Sequence, residues 1–210
     1  MPYGYLGTTP NQQKANSGVF SVEEALALQN VGELGGSIEL IAEETISSGT
    51  SIVQFTSIKE NIYDVHLLTY TNIHIATSGT TYIGYQLAES GTLETADVYD
   101  YAYQWNAVGG TDGEVNSTGD NHMNLGIASS HTMTFGGYTY FYNLGNSSKY
   151  SSITGQTMVA ETAGTAFNSF YGAVLPQASA VNQIRLMNDN GDNFTAGTLK
   201  LFGVKQIWVT

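Results

Sequence analysis

From Gly36 onward the chain is written in short runs of β-branched and aromatic residues, cut by Ser-Gly, Asp-Gly, Gly-Gly and Asn-Gly pairs. Many short runs separated by turn signals are the mark of an all-β sandwich or barrel, because β-branched and aromatic side chains suit a pleated surface and glycine supplies tight turns. The runs predict strands over 37–46, 51–58, 63–70, 81–88, 98–105, 122–127, 137–143, 165–174, 181–187 and 197–208. Several alternate with period two. Tyr99, Tyr101, Tyr103 and Trp105 share one face of their run, opposite Val98, Asp100, Ala102 and Gln104. Thr198, Lys200 and Phe202 likewise oppose Leu199, Leu201 and Gly203. So many strands with so little helix predict two packed antiparallel sheets, an all-β, jelly-roll-like β-sandwich.

The segment before these runs differs. Residues 1–18 are polar and rich in turn formers, which cannot bury a face, and they read as an extended arm. Ser21-Val22-Glu23-Glu24 fits a capping box, the Ser21 hydroxyl accepting from the Glu24 N–H while Glu24 reaches back. The helix formers Ala25 to Leu28 follow, with Gly32 placed to stop them, so one short helix is expected. The expected organisation is therefore 1–36 as arm and helix, and 37–210 as the sandwich domain. The longest polar break, Val108 to Asn121, is expected to be an exposed loop that could carry contacts.

Composition narrows the function. The 210 residues carry 18 acidic and 6 basic side chains, a net charge of −12, with no cysteine. Thiolate metal sites and thiol nucleophiles are thereby excluded. Five lysines and Arg185 are too few to neutralise a run of phosphates, so neither nucleic acid nor an anionic membrane is an expected partner. Charged residues make up only 11% while 24 side chains are aromatic, which argues for a folded chain. Nothing at the N-terminus has the basic-then-apolar build of a secretion signal, and no stretch is long and apolar enough for a membrane helix.

The search for catalytic chemistry returns little. His66, His74, His122 and His131 show no metal-binding spacing; His66 and His74 would align only on one unbroken strand, and a turn is expected near Asn72. A Gly-x-Ser-x-Gly elbow and a phosphate-cradling Gly-x-x-x-x-Gly-Lys are missing. Asp97 with Asp100, or Asp112 and Glu114 with Asp120, could in principle pair for glycoside hydrolysis, but odd spacing sets Asp97 and Asp100 on opposite faces. Asn188-Asp189-Asn190-Gly191-Asp192-Asn193 gathers oxygen ligands around a glycine as calcium would want, without the terminal bidentate Glu of an EF-hand; a hairpin turn at Asn190-Gly191 is the preferred reading. No catalytic, cofactor or metal residue is assigned. The tyrosine stripes, Tyr99 to Trp105 and Tyr138, Tyr140 and Tyr142, admit a sugar-binding or protein-binding face, the sandwich core, or a subunit interface.

Particular segments then become familiar: Met1-Pro2-Tyr3-Gly4-Tyr5-Leu6-Gly7 with Pro10-Asn11-Gln12, Asn16-Ser17-Gly18-Val19-Phe20-Ser21, Leu34-Gly35-Gly36-Ser37-Ile38-Glu39-Leu40-Ile41, and Lys59-Glu60-Asn61-Ile62-Tyr63-Asp64-Val65-His66. Together they resemble virion proteins of marine tailed bacteriophages. The close, Phe194 to Val204, is similar to the Leu-Tyr-Gly ending of many phage fibre and capsid-decoration domains, with Phe202 in place of the commoner Tyr. The resemblance implies a non-enzymatic virion component, commonly trimeric: a capsid decoration (cement) protein, or alternatively a tail fibre or receptor-binding tip that contacts host glycan. Its motifs are strands and turns, so it carries over no catalytic residue. The implied partners are further copies of the chain and other virion proteins.

Overall fold

The structure, a computed structural model, describes residue 23 and residues 38–205 apart from 48, 77–80, 130, 131, 162, 163 and 165. The chain divides into two units, 1–37 and 38–210. Of the first only Glu23 is described, helical and exposed; the expected arm and the rest of the expected helix lie outside the described residues.

The second unit is an antiparallel β-sandwich. Its strands are β1 (Ile38–Ile46), β2 (Val53–Phe55), β3 (Val65–Ile75), β4 (Thr81–Glu89), β5 (Thr92–Leu93), β6 (Tyr99–Ala107), β7 (Asp112–Asp120), β8 (Met123–Ser129), β9 (Met133–Tyr142), β10 (Tyr150–Glu161), β11 (Ala166–Ala178), β12 (Val181–Asn188) and β13 (Phe194–Val204). The large sheet runs β1-β13-β3-β9-β10-β11-β6-β7; the small one runs β2-β12-β4-β5, with β8 also paired to β4. Setting aside β5 and the hairpins β6–β7 and β10–β11 leaves β1-β13-β3-β9 facing β2-β12-β4-β8. Numbered afresh, that is 1-8-3-6 over 2-7-4-5, the strand order of a jelly roll. The two hairpins are inserted between jelly-roll strands, and both extend the large sheet beyond β9.

Each of the ten expected runs holds a strand, the 206–208 end of the last lying outside the described residues. The expected loop over 108–121 is instead a hairpin ending in β7: Trp105 pairs with Gly113 and Tyr103 with Val115. Its Asn, Ser, Thr and Gly residues read as a loop because they show no apolar alternation, yet an edge strand that leaves most side chains in water needs none. The preferred hairpin at Asn190-Gly191 is a turn of another kind. It carries the chain from the small sheet (β12) to the large one (β13), with Gly191 at φ 71°.

The core lies between the sheets. It is built from period-two faces such as Leu68, Tyr70, Ile73 and Ile75 on β3, Ile83, Tyr85 and Leu87 on β4, and Leu199 and Leu201 on β13, all at most 1% exposed. Through its middle runs a chain of hydroxyls. Tyr85 Oη lies 2.9 Å from Thr139 Oγ1, which lies 2.6 Å from Tyr171 Oη; that phenol is 3.0 Å from Tyr70 Oη, itself 2.5 Å from Thr157 Oγ1. It joins β4 of the small sheet to β9, β11, β3 and β10 of the large one. Burial pushes all three phenols above their usual range, so each stays protonated and able to donate. A Cβ on Gly155 would strike the Tyr171 ring, which is why β10 carries glycine at its centre.

Candidate functional site

The three histidines among the described residues, His66, His74 and His122, do not come together as a site. His66 and His74 share β3, which continues through Asn72 with no turn; Asn72 sits at φ 53° in a bulge that shifts the pairing between Tyr70 and Ile73. One extra residue reverses which parity faces inward: His66 is buried beside Leu68 and Tyr70, whereas after the bulge Ile73 and Ile75 are inward and His74 is not. His74 Nδ1 lies 2.6 Å from Thr195 Oγ1. His66 Nε2 donates to the Ile58 carbonyl at 2.7 Å, leaving Nδ1 buried without a partner, and burial lowers its pKa. His122 Nδ1 lies 2.7 Å from Asn121 Oδ1 and 3.3 Å from Asp120 Oδ1; its Nε2 is likewise buried and unpaired, and burial outweighs Asp120 and Asp189 in lowering its pKa. His131 lies outside the described residues.

Of the candidate carboxylates, Asp100, Asp120 and Asp189 are engaged locally, Asp120 by the N–H of Asn121. Asp100 accepts from the Gly119 N–H across the β6–β7 hairpin at 3.0 Å. Asp189 accepts from Thr81 Oγ1 at 2.6 Å and from the Tyr82 N–H at 2.9 Å. The Asn188 side chain closes its own turn, accepting from the Asp192 N–H at 2.8 Å and donating to the Asp192 carbonyl at 2.6 Å. Among the described residues no three His, Cys, Asp or Glu side chains converge in a way that would hold a metal ion.

Two features remain, and both are aromatic. The first is the outer face of the large sheet. By register three rows cross it: Ile38, Val204, Val65, Tyr142; Leu40, Phe202, Leu67, Tyr140; and Glu43, Lys200, Thr69, Tyr138. The tyrosines touch one another along β9, with ring centroids 5.9 Å apart for Tyr138 and Tyr140 and 6.3 Å for Tyr140 and Tyr142. Ile38, Leu40, Tyr138, Met158 and Phe170 are each 41–49% exposed, an unusual density of apolar side chains in water. In these rows the one charged pair, Lys200 and Glu43, neutralises itself at 3.2 Å. A hollow of about 570 Å³ sinks into the same face over Gly136 and Gly137, rimmed by Tyr138 and Met158.

The second feature is a cleft of about 310 Å³ lined by Tyr82, Tyr103, Trp105, Val115, Gly126 and Phe167. It forms because the inserted hairpins carry the large sheet past the small one, so that β8 is the strand packed on the inner face of β6 and β11. Gly126 allows the close approach. At φ 66° it occupies the left-handed region, and a Cβ there would meet both Ser169 Oγ and the Tyr103 ring. Trp105 lies against Gly113 of the neighbouring strand, where a Cβ would stand 2.8 Å from the indole. Of the readings left open for the 99–105 stripe, the core one holds for Tyr99 and Tyr103, which lie inside; that Trp105 borders a cleft was not visible, since Tyr82, Gly126 and Phe167 reach it from three other strands.

No protein-family model and no curated protein matches the chain. Among solved structures, a protein of unknown function from Shewanella oneidensis MR-1 is similar at 9% identity with a TM-score of 0.24, over 91% of this chain and 99% of that one. Likeness at that level carries no argument about fold or function.

Proposed function

We propose that the protein is a structural subunit of a bacteriophage virion, a trimeric capsid decoration protein with no catalytic role of its own. One observation carries this reading: the outer face of the large sheet offers a broad, self-neutralised apolar surface on a frame whose interior is already filled. Such a surface in an acidic chain is suited to subunit contact, because hydrophobic area drives association while, in the rows from β1 to β9, the Lys200–Glu43 pair adds no net charge to repel a second copy. The jelly roll is common among capsid proteins, an analogy of fold, and the resemblance of the chain's segments to virion proteins points the same way.

The test is to localise the protein on purified particles with a specific antibody and to count copies per particle by quantitative mass spectrometry. Many copies spread over the head are expected; absence from the particle overturns the proposal. A second reading, a tail fibre or receptor-binding tip contacting host glycan, is favoured by the row of touching tyrosines on the outer face of β9, Tyr138, Tyr140 and Tyr142, rings that offer an apolar face with a polar tip. A few copies at the tail, together with antibody that blocks adsorption, would select it.

A further inference from the structure

We propose that the cleft between β4, β6, β7, β8 and β11 is a binding site for an organic cation, a methylated ammonium group such as the head of choline. The proposal does not depend on where the protein resides.

Four aromatic side chains border this one gap: Tyr82 from β4, Tyr103 and Trp105 from β6, and Phe167 from β11, with Val115 and the Gly126 backbone completing it. Tyr103 is stacked on Tyr101, at 6.1 Å between centroids and 14° between planes; among the described residues no ring contact joins Tyr82, Trp105 or Phe167 to another aromatic. All three border the gap without being stacked on another ring, Trp105 with one face laid against Gly113. The cleft is open, since Tyr82 and Val115 are 40% and 39% exposed, whereas Tyr103 at its floor is 8% exposed.

The lining decides the chemistry. Among the described residues that line it, the side-chain polar groups are two phenol hydroxyls and the indole N–H, with no carboxylate, carboxamide or guanidinium. A sugar with several hydroxyls to satisfy would leave most of them unpaired there, at the usual cost of desolvating a polar group. An anion would meet no cation. A methylated ammonium carries a charge spread over apolar methyls, needs no hydrogen bond, and is attracted by each ring face it touches. The wider field has the matching sign. The chain carries −12, Asp189 accepts from the Tyr82 N–H, and Asp120 is hydrogen-bonded to Tyr101, whose ring is stacked on that of Tyr103. Burial pushes the Tyr103 phenol up to about 12, which keeps it a neutral ring at physiological pH.

The experiment is titration of the whole chain with choline chloride, followed by calorimetry and by the fluorescence of Trp105 with Trp208→Phe removing the other tryptophan, against two probes: the neutral isostere 3,3-dimethylbutan-1-ol and methyl glucoside. Choline is expected to bind saturably, with the isostere weaker by about tenfold or more. Tyr82→Leu and Phe167→Leu, which keep apolar bulk and remove a π face, should each weaken choline severalfold while leaving the unfolding midpoint close to that of the parent. Equal affinity for the isostere would overturn the proposal, as would binding of the glucoside without choline, no binding of any probe, or full choline binding by both variants.

Discussion

Tyr171 shows how much one hydroxyl can hold in this fold. Its Oη lies 2.6 Å from Thr139 Oγ1 and 3.0 Å from Tyr70 Oη, both buried, and it donates to the part-buried Tyr138 carbonyl at 3.0 Å. Tyr171→Phe deletes the atom and leaves its neighbours short of a partner, an expected loss of about 1–3 kcal/mol by urea unfolding. Thr139→Val should cost a similar amount, and the double variant less than the sum, because both lie in one chain of hydroxyls. The buried histidines give a pH dependence of definite sign. His66 and His122 have pKa values lowered from 6.5 by burial, so the fold prefers the neutral ring. Their contribution is complete above the unfolded value near 6.5 and is lost as pH falls below it. Glu39 acts in a lower window. Tyr63 and then Lys59 hold its carboxyl down to about 2, so its contribution is present above 4.5 and fades as pH drops towards 2. The urea midpoint should therefore decline in two stages on acidification, and His66→Gln should flatten the upper one. A midpoint constant from pH 7.5 to 5 would contradict the role given to the histidines.

At the scale of elements, legibility followed the apolar alternation. Leu199 and Leu201 are buried while Thr198, Lys200 and Phe202 lie on the other face, as period two required. Strand β10 was missed although it is central, because its inward residues are Ser151, Ile153, Gly155, Thr157 and Val159, a set whose small and hydroxyl members satisfy the tyrosine network instead of advertising a core. Strand β7 was missed because it is an edge. Nor could alternation say which tyrosine stripe faces inward: the stripe on β6 lies inside and the one on β9 outside, and each is flanked by residues that tolerate either side. The charges of β7 have a use beyond solubility. Asp112 and Glu114 stand on the end strand of the large sheet, where unpaired backbone groups would otherwise template another strand. Replacing both with valine should raise light scattering on concentration and lower the soluble yield, with the far-ultraviolet β signal of the soluble fraction retained. Unchanged solubility would show that the bulged hairpin, with Gly119 at φ 75°, protects the edge unaided.

For the whole molecule the decisive quantity is the balance between one apolar face and a net charge of −12. On the proposed function, copies meeting through the outer face of the large sheet would bury Leu40, Phe202, Leu67 and the tyrosines of β9, while their remaining carboxylates would repel. Repulsion reaches about 30 Å at 0.01 M salt and about 10 Å at 0.1 M, whereas the apolar contact is short-ranged and not screened. Association measured by sedimentation should therefore strengthen from low to moderate sodium chloride. If it weakened instead, ion pairs would be the glue and the apolar face would not. Leu40→Asp places an unpaired charge within the contact and should abolish association at every salt concentration, while leaving the monomer folded because Leu40 is 49% exposed. Chelator separates the remaining alternative. The carboxylate of Asp189 is engaged by Thr81 and Tyr82, and the backbone of Asp192 by Asn188, so removal of divalent ions should leave the association constant unchanged. Dissociation by chelator would place a bridging cation between acidic loops of adjacent copies, and the assembly would then rest on charge as much as on the tyrosine face.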